Sequence, residues 1–513
     1  MSGALGGLDK FNVELLRRNR FCMGVKRGGE YVCGGDAGKD AKRKAVELLT
    51  EAVRRILRWR VWETWWIEET MDEWLESRDR LETQLRGKYG EEVVNTVTGL
   101  VDKLISYNER FWNYWHDVGD EVKRLVNDLL NGRTEVIIWE SGKGMSVYRE
   151  YITLSANKTR TGVTVHMVLN GLEGMTIEVP DVFRMVMSRE EYEKLVNELL
   201  VALRGGLEEA DGFVENGYAA MGTTQIWQVI VWVLLYFGKM HVYIDAVNVN
   251  ESGVTITWHL KSSHDLLKGK ILGNVDKLGE EELLAFMLGV VLGDGNARIE
   301  KSSHGYDMAV IRIAMSGEEF DRWEPLLMRL KSMGFRCGKP NLINGNDVKV
   351  RFNGSNAINL TRAMISVLPP ILRDVLDALS FEKWVNLRRI AEMEVKFRIG
   401  ESQVTAANYG FSVNIRKTTI MLMHKARDGV EARKVIDALR AVYGDGFYAY
   451  VNRGGKYLVI IIPMYVFERY DDIKEQVIEV LRRKLEKTKD EKKKQIITKH
   501  LTRLTPKGDS HGD

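Results

Sequence analysis

The run Phe286-Met287-Leu288-Gly289-Val290-Val291-Leu292-Gly293-Asp294-Gly295 constrains the fold more than any other stretch of the chain. It predicts an apolar helix with two glycines one turn apart. Gly289 and Gly293 stand at i and i+4 and open one bare stripe. A stripe without Cβ atoms admits a second helix backbone to backbone. Gly295 is expected to end the helix in the left-handed conformation that glycine adopts most cheaply. Asp294 runs against local stability, because a carboxylate at a helix C-terminus loses roughly 0.3–1 kcal/mol. A residue chosen against stability points to function. Two such helices side by side would bring two carboxylates to the base of their seam. Paired carboxylates hold Mg²⁺ well, and that ion promotes phosphodiester cleavage.

The elements that follow extend the pattern. Met308 to Met315 reads as a strand rich in β-branched residues, and Glu318 to Phe335 as an amphipathic helix. Asp347 to Phe352 alternates as a strand whose polar face carries Lys349 and Arg351. Ser355 caps a helix from Asn356 to Leu368, and Pro369-Pro370 breaks into the next. Leu288 to Gly295 resembles the signature helix of LAGLIDADG homing endonucleases, in the variant ending LLGDG. Leu292 stands where the nominal signature has an earlier Asp, a position often apolar in that family. The resemblance implies an α-β-β-α-β-β-α unit whose curved sheet lies on double-stranded DNA. It makes Asp294 a catalytic metal ligand, with Mg as cofactor, and sets Lys349 and Arg351 against phosphates, where basic side chains give affinity rather than base reading. The bland alternatives are a buried helix with a capping Asp-Gly turn and a solvated strand face.

A second unit is expected downstream. Phe381 to Val395 reads as its leading helix, Tyr409 to Met423 as strand, and Asp428 to Tyr443 as helix. Phe447 to Val451 and Tyr457 to Ile462 then form a hairpin around Gly454-Gly455, followed by a helix from Asp471 to Leu485. Residues 281–485 would thus be a pseudo-symmetric fold with Glu394 as the second catalytic acid. Two alternatives stay open: an active site lost on this half, or a homodimer in which a partner chain's Asp294 completes the site. Gly205 to Gly212 also looks like the signature. Its Glu208 and Glu209 would put charges in a dry seam, and Phe213 to Gly222 looks like loop. It reads as a chance match.

The fold class expected is α+β multidomain: an N-terminal helical hairpin, a central mixed α/β region and C-terminal LAGLIDADG-like units. At 513 residues three or four domains are expected. The divisions are an N-terminal segment 1–38, a Trp-rich helical domain 39–133, a mixed α/β domain 134–280, the motif unit 281–395, the degenerate second unit 396–485 and a basic tail 486–513. Trp59, Trp62, Trp65, Trp66, Trp74, Trp112 and Trp115 crowd the helical arm among arginines. They suit stacking on bases or a protein-contact surface, but better suit the core of a hairpin with arginines at its edge. His166, His241, His259 and His264 show no ligand spacing and read as satisfied or surface histidines.

A net charge of +3 advertises no global field for nucleic acid, so binding charge must be local. From Leu481 to Lys499 nine Lys or Arg face three Asp or Glu, read first as a solvated tail. Cys22, Cys33 and Cys337 lack metal-ligand spacing and suit a reducing cytoplasm. No signal peptide or membrane span is expected, since the apolar run Ile226 to Phe237 is too short to cross. No intein is expected either, because the chain closes Asp509-Ser510-His511-Gly512-Asp513. Few glutamines beside 29% charged residues fit a thermophile. The whole chain is also similar to the multicopy paREP repeat-family proteins of hyperthermophilic crenarchaea (Pyrobaculum). That resemblance implies an archaeal, mobile-element setting and no settled chemistry. A catalytically inactive nucleic-acid-binding protein, maturase-like or regulatory, is the alternative function.

Overall fold

The structure, a computed structural model, describes residues 13–27, 30–159, 162–301, 307–343, 347–394, 403–426, 428–454, 457–488 and 490–505. Val395, Gly455 and residues 506–513, which entered the expectations above, lie outside it. The chain is α+β with several sheets, and divides into two compact units, residues 1–395 and 396–513. No helix among the described residues is long and apolar enough to cross a membrane.

After the short α1 (Val13–Leu16) and the strands β1 (Arg20–Arg27) and β2 (Glu30–Asp36) come three long helices. These are α2 (Lys39–Trp59), α3 (Trp65–Arg86) and α4 (Glu91–Leu130). Residues 39–131 contain no proline, and the helices break where Arg60 turns left-handed and Gly87 and Gly90 flank a turn. Of the arm's tryptophans, Trp66, Trp74 and Trp115 are core, Trp59, Trp62 and Trp65 pack at its edge, and Trp112 is exposed. Trp66 and Trp115 meet edge to face at 5.2 Å, and both indole N–H groups donate to the Val61 carbonyl. Trp74 packs at 5.2 Å on Trp258 of the sheet beneath. Burying side chains of this size is worth about 1.5–3 kcal/mol each, which fastens the arm to the sheet.

That sheet is built from β1, β2 and the strands β3 (Glu135–Ile138), β4 (Gly144–Tyr148), β5 (Ile152–Thr159), β6 (Gly162–Leu169) and β7 (Met175–Val179). The helices α5 (Val182–Val186), α6 (Arg189–Lys194) and α7 (Leu200–Asp211) interrupt it. It resumes through β8 (Gly212–Glu215), β9 (Tyr218–Thr223), α8 (Ile226–Leu235), β10 (Gly238–Val249) and β11 (Val254–Asp265). The order is β2-β1-β3-β4-β5-β6-β10-β11-β9-β8, with β7 on β10, so residues 20–265 share one sheet.

Next come α9 (Glu280–Leu292), β12 (Asn296–Lys301), β13 (Asp307–Ser316), α10 (Gly317–Ser332), β14 (Asn341–Ile343) and β15 (Asp347–Asn353). Their sheet runs β12-β13-β15-β14. The segment from α7 to β11 has the same plan: helix, hairpin, helix, hairpin, with strands ordered β8-β9-β11-β10. The helices α11 (Ser355–Ser366), α12 (Pro370–Leu379) and α13 (Glu382–Glu392) complete this unit.

The pseudo-symmetric pair is therefore not 281–485. The partner of the motif unit precedes it, and Gly205 to Gly212 is its leading helix rather than a chance match. The supposed loop after it is the β8–β9 hairpin, turned at Asn216-Gly217, both with positive φ as a tight hairpin turn requires.

The second compact unit holds β16 (Gln403–Ala406), β17 (Tyr409–Ile415), β18 (Ile420–Ala426), α14 (Gly429–Tyr443), β19 (Tyr450–Gly454) and β20 (Tyr457–Pro463). The helices α15 (Met464–Phe467), α16 (Asp471–Lys487) and α17 (Glu491–Leu504) follow. Its sheet is ordered β16-β17-β18-β20-β19 over its own core, including Phe411, Leu422, Ile460 and Val477. Tyr409 to Met423 is thus a hairpin, closed where Arg416 N–H donates to Thr419 O. The basic stretch 481–499 is largely helical, spanning the end of α16 and the start of α17.

Candidate active site

The site begins with the close approach of α7 and α9. A Cβ on Gly206 would stand 2.1 Å from the Phe286 carbonyl oxygen, and one on Gly289 2.4 Å from that of Leu203. One on Gly293 would stand 2.3 Å from the Ala210 Cβ. Any side chain at these points would collide with main chain or a fixed methyl group, so the seam demands glycine.

The two helices also end alike. Asp211-Gly212 closes α7 and Asp294-Gly295 follows α9. A Cβ on Gly212 would meet the Glu208 Cα at 2.5 Å, and one on Gly295 the Val291 Cα at 2.5 Å. Gly295 is therefore required by this approach, not by the left-handed conformation expected of it, since its φ is not positive.

Glu208 and Glu209 do not charge the seam, because both point away from it. Glu208 is fully buried and accepts hydrogen bonds from the Tyr236 hydroxyl (2.6 Å), the Lys268 N–H (3.0 Å) and the Leu267 N–H. Burial still pushes its carboxyl above the usual range. Glu209 accepts from the Gly269 N–H at 2.8 Å. The loop 267–269 thus covers charges that looked orphaned in sequence.

Asp211 and Asp294 come together at the base of the seam. A Cβ on Gly293 would lie 3.0 Å from Asp211 Oδ2, so that carboxylate reaches the residue adjoining Asp294. Asp211 accepts from Gln228 Nε2 at 2.7 Å, and burial raises its pKa. Asp294 has no hydrogen bond or ion pair among the described residues. It is open to solvent yet set in a concavity crowded enough that partial burial, then the Asp211 charge, push it up to about 6.

Two lysines flank the pair. Lys268 Nζ donates to the Gly212 carbonyl at 2.9 Å, and Lys383 Nζ donates to those of Leu292 (2.7 Å) and Gly293. Each thus puts positive charge on the negative end of one helix. Burial pulls Lys383 down, and the two carboxylates oppose that. At the start of α8 and α10 the corresponding places carry Gln228, on Asp211, and Glu319, whose charge adds to the lift on Asp294.

Glu394 is not the second carboxylate. Lys383, near the start of α13, touches the end of α9, and Glu394 lies beyond the other end, about 16 Å further along. There Arg362 ties Ala391 and Met393 by their carbonyls to α11. Asp211, Gln228, Lys268 and Lys383 were missed. The sequence signals for the first two were the signature-like run Gly205 to Gly212 and Asn216-Gly217, which marks a hairpin directly after that helix.

Lys349 and Arg351 stand on the outer face of β15, alternating with buried Val348, Val350 and Phe352. Arg351 reaches Glu300 at 2.8 Å, and Arg298 and Arg312 converge on the same carboxylate. Four cations against two carboxylates, Glu300 and Asp347, leave this sheet face net basic. The corresponding face of the first sheet is mixed: Tyr243 stacks on His259 at 4.3 Å, and Glu215 pairs with His259 (2.6 Å) and Lys261 (3.3 Å). His264 is held near 4, mainly by burial.

No protein-family description matches the chain, and no curated protein does. Among solved structures it is similar to full-length DUF199/WhiA from Thermatoga maritima, at 12% identity over 41% of this chain and 69% of that one, TM-score 0.21. It is also similar to the LAGLIDADG meganuclease I-AabMI bound to uncleaved DNA, at 11% identity over 42% and 94%, TM-score 0.13. A third is the LAGLIDADG meganuclease I-CpaMI bound to uncleaved DNA, at 11% over 41% and 86%, TM-score 0.13. Scores this low carry no weight of their own, and the repeat stands on the chain's own strand order.

Proposed function

We propose that residues 200–353 form a two-repeat, LAGLIDADG-like DNA-binding platform that acts as a Mg²⁺-dependent, site-specific endonuclease. The observation that supports it most is the pairing of Asp211 and Asp294 at the base of a glycine-lined seam, between two sheets of one plan. The residues fit a hard divalent cation. Carboxylate oxygens are its preferred donors, Asp294 has no hydrogen bond or ion pair among the described residues, and both ammonium groups are engaged by carbonyls. Bound there, Mg²⁺ would supply Lewis acidity at a scissile phosphate. Asp211 and Asp294 hold it; Gln228 orients Asp211; Lys268 and Lys383 limit the charge build-up. Arg298, Arg312, Lys349 and Arg351 hold backbone phosphates on the second sheet. Since one chain supplies both acids, a monomer suffices. The paREP resemblance suggests a repeated or mobile element as the setting.

The second reading is a catalytically inactive nucleic-acid-binding protein. It is favoured by the two ammonium groups, which already offset the carboxylates without metal. A protein-binding role for the Trp-rich arm would rest on Trp112, which is exposed, since Trp66, Trp74 and Trp115 are core.

Selection from a random duplex library in Ca²⁺, then a switch to Mg²⁺, separates these readings. Enrichment of a long site, cut by the wild type and at least about 100-fold more slowly by Asp294→Asn and Asp211→Asn, is the expected result. Enrichment without cutting would leave the inactive binder. No enrichment would remove the DNA reading altogether.

A further inference from the structure

Far along the sheet from β8, three potential ligands share one face. Cys22 is fully buried in β1, while Cys33 of β2 and Glu135 of β3 are part-exposed. Their sulfur and oxygen atoms all lie within 4.8 Å of one another. Sequence spacing gave no hint of this, because a register shift creates it. Met23 pairs with Gly35, yet Gly24 pairs with Cys33, which leaves Gly34 as the extra residue of a bulge. Had the register continued, Cys33 would face the opposite side, since side chains alternate along a strand. The bulge turns it onto the face of Cys22. In the parallel pair, Glu135 lies opposite Arg20 and Ile137 opposite Cys22, which puts Glu135 on that face as well.

We propose that Cys22, Cys33 and Glu135 form a binding site for a thiophilic divalent cation, Zn²⁺ fitting best, which clips the edge strand β2 to β1 and β3. Two thiolates and a carboxylate make three protein ligands, with water as the fourth. Metal suits the geometry better than a disulfide. Cys33 lies diagonally across from Cys22, and diagonal neighbours stand roughly 7 Å apart. A disulfide needs its Cα atoms about 4.4–6.8 Å apart, whereas sulfurs bridged by an ion span more, each bond being about 2.3 Å. Arg20 already holds Glu135 Oε1 at 3.0 Å. A carboxylate has further acceptor capacity, and an arginine behind it fixes its orientation toward a metal. Without an ion, burial and then the neighbouring Cys33 push the Cys22 thiol up to about 12.

The test uses full-length protein, reduced and stripped of metal, titrated with Co²⁺ and then Zn²⁺. A thiolate-to-cobalt charge-transfer band saturating at about one ion per chain, and bleached by Zn²⁺, is expected. Cys337→Ser should keep the band. Cys33→Ala, on an edge strand and checked for folding by circular dichroism, should abolish it, as should Cys22→Ser. Glu135→Gln should weaken binding by more than roughly tenfold, since even outer partners of metal ligands matter that much. No band in the reduced wild type would overturn the proposal, and so would a band that survives Cys33→Ala. A Cys22–Cys33 disulfide forming readily in protein that binds no cobalt would overturn it too. Mg²⁺ at the carboxylate pair gives no thiolate band, so this result is independent of the nuclease reading.

Discussion

Asp294 shows most directly how burial sets one carboxylate against the stability of the fold. Its folded-state pKa of about 6 lies above the ordinary 3.8, so between those values the folded protein holds a proton that the unfolded chain has released. Stability in the absence of metal must then fall as pH rises through that window. Asp294→Asn removes the penalty. In chelator at about pH 7 the variant should melt above the wild type, and the gap should close as pH drops toward about 4. Divalent cation should narrow the gap from the other side by stabilising the wild type alone. A variant that melts below the wild type across the range would mean that Asp294 is not held charged against its surroundings. The sequence exposed this residue because it opposed the helix dipole. It hid Asp211, since the neighbouring Glu208 and Glu209 looked wrong for a seam, and only their backbone partners at 267–269 make them acceptable.

At the scale of elements, the α7–α9 seam is a statement about backbone distance. Gly289→Ala would push a methyl group to 2.4 Å from a carbonyl oxygen that cannot rotate away. We expect a loss of about 1–3 kcal/mol or more in urea denaturation. Gly99 is a useful contrast: it sits inside α4 with open space around its absent Cβ. Gly99→Ala should stabilise by roughly 0.5–1 kcal/mol, because only the helix propensity changes. Equal effects from the two substitutions would contradict the packing described. The glycine stripe of α9 was legible, since an i, i+4 pair in an apolar run has few other uses. The strands Met308 to Met315 and Asp347 to Phe352 were legible as well, from β-branched residues and alternation. Unit pairing was not, because nothing local to α9 specifies whether its partner helix lies upstream or downstream.

At the scale of the whole molecule, residues 396–513 have a sheet and core of their own. Expressed alone, they should unfold cooperatively in urea, with a slope of roughly 1–3 kcal/mol/M. A gradual, uncooperative loss of structure would show that this core does not suffice. Within 1–395, by contrast, the divisions expected at 38 and 133 fall inside one sheet, since β1 and β11 both belong to it, whereas that at 280 falls between two sheets.

The sequence by itself determined what is local: helices from 3.6-residue periodicity, strands from alternation, the bare stripe of α9, and an acid set against its helix dipole. Tertiary structure decided what depends on partners. It chose α7 over α13 as the second helix, since only α7 offers glycine to glycine. It made Asp211 rather than Glu394 the companion of Asp294, and turned Glu208 from an apparent error into a buried, hydrogen-bonded carboxylate. Close approach and burial are properties of pairs of segments far apart in the chain, and periodicity within one segment cannot encode them.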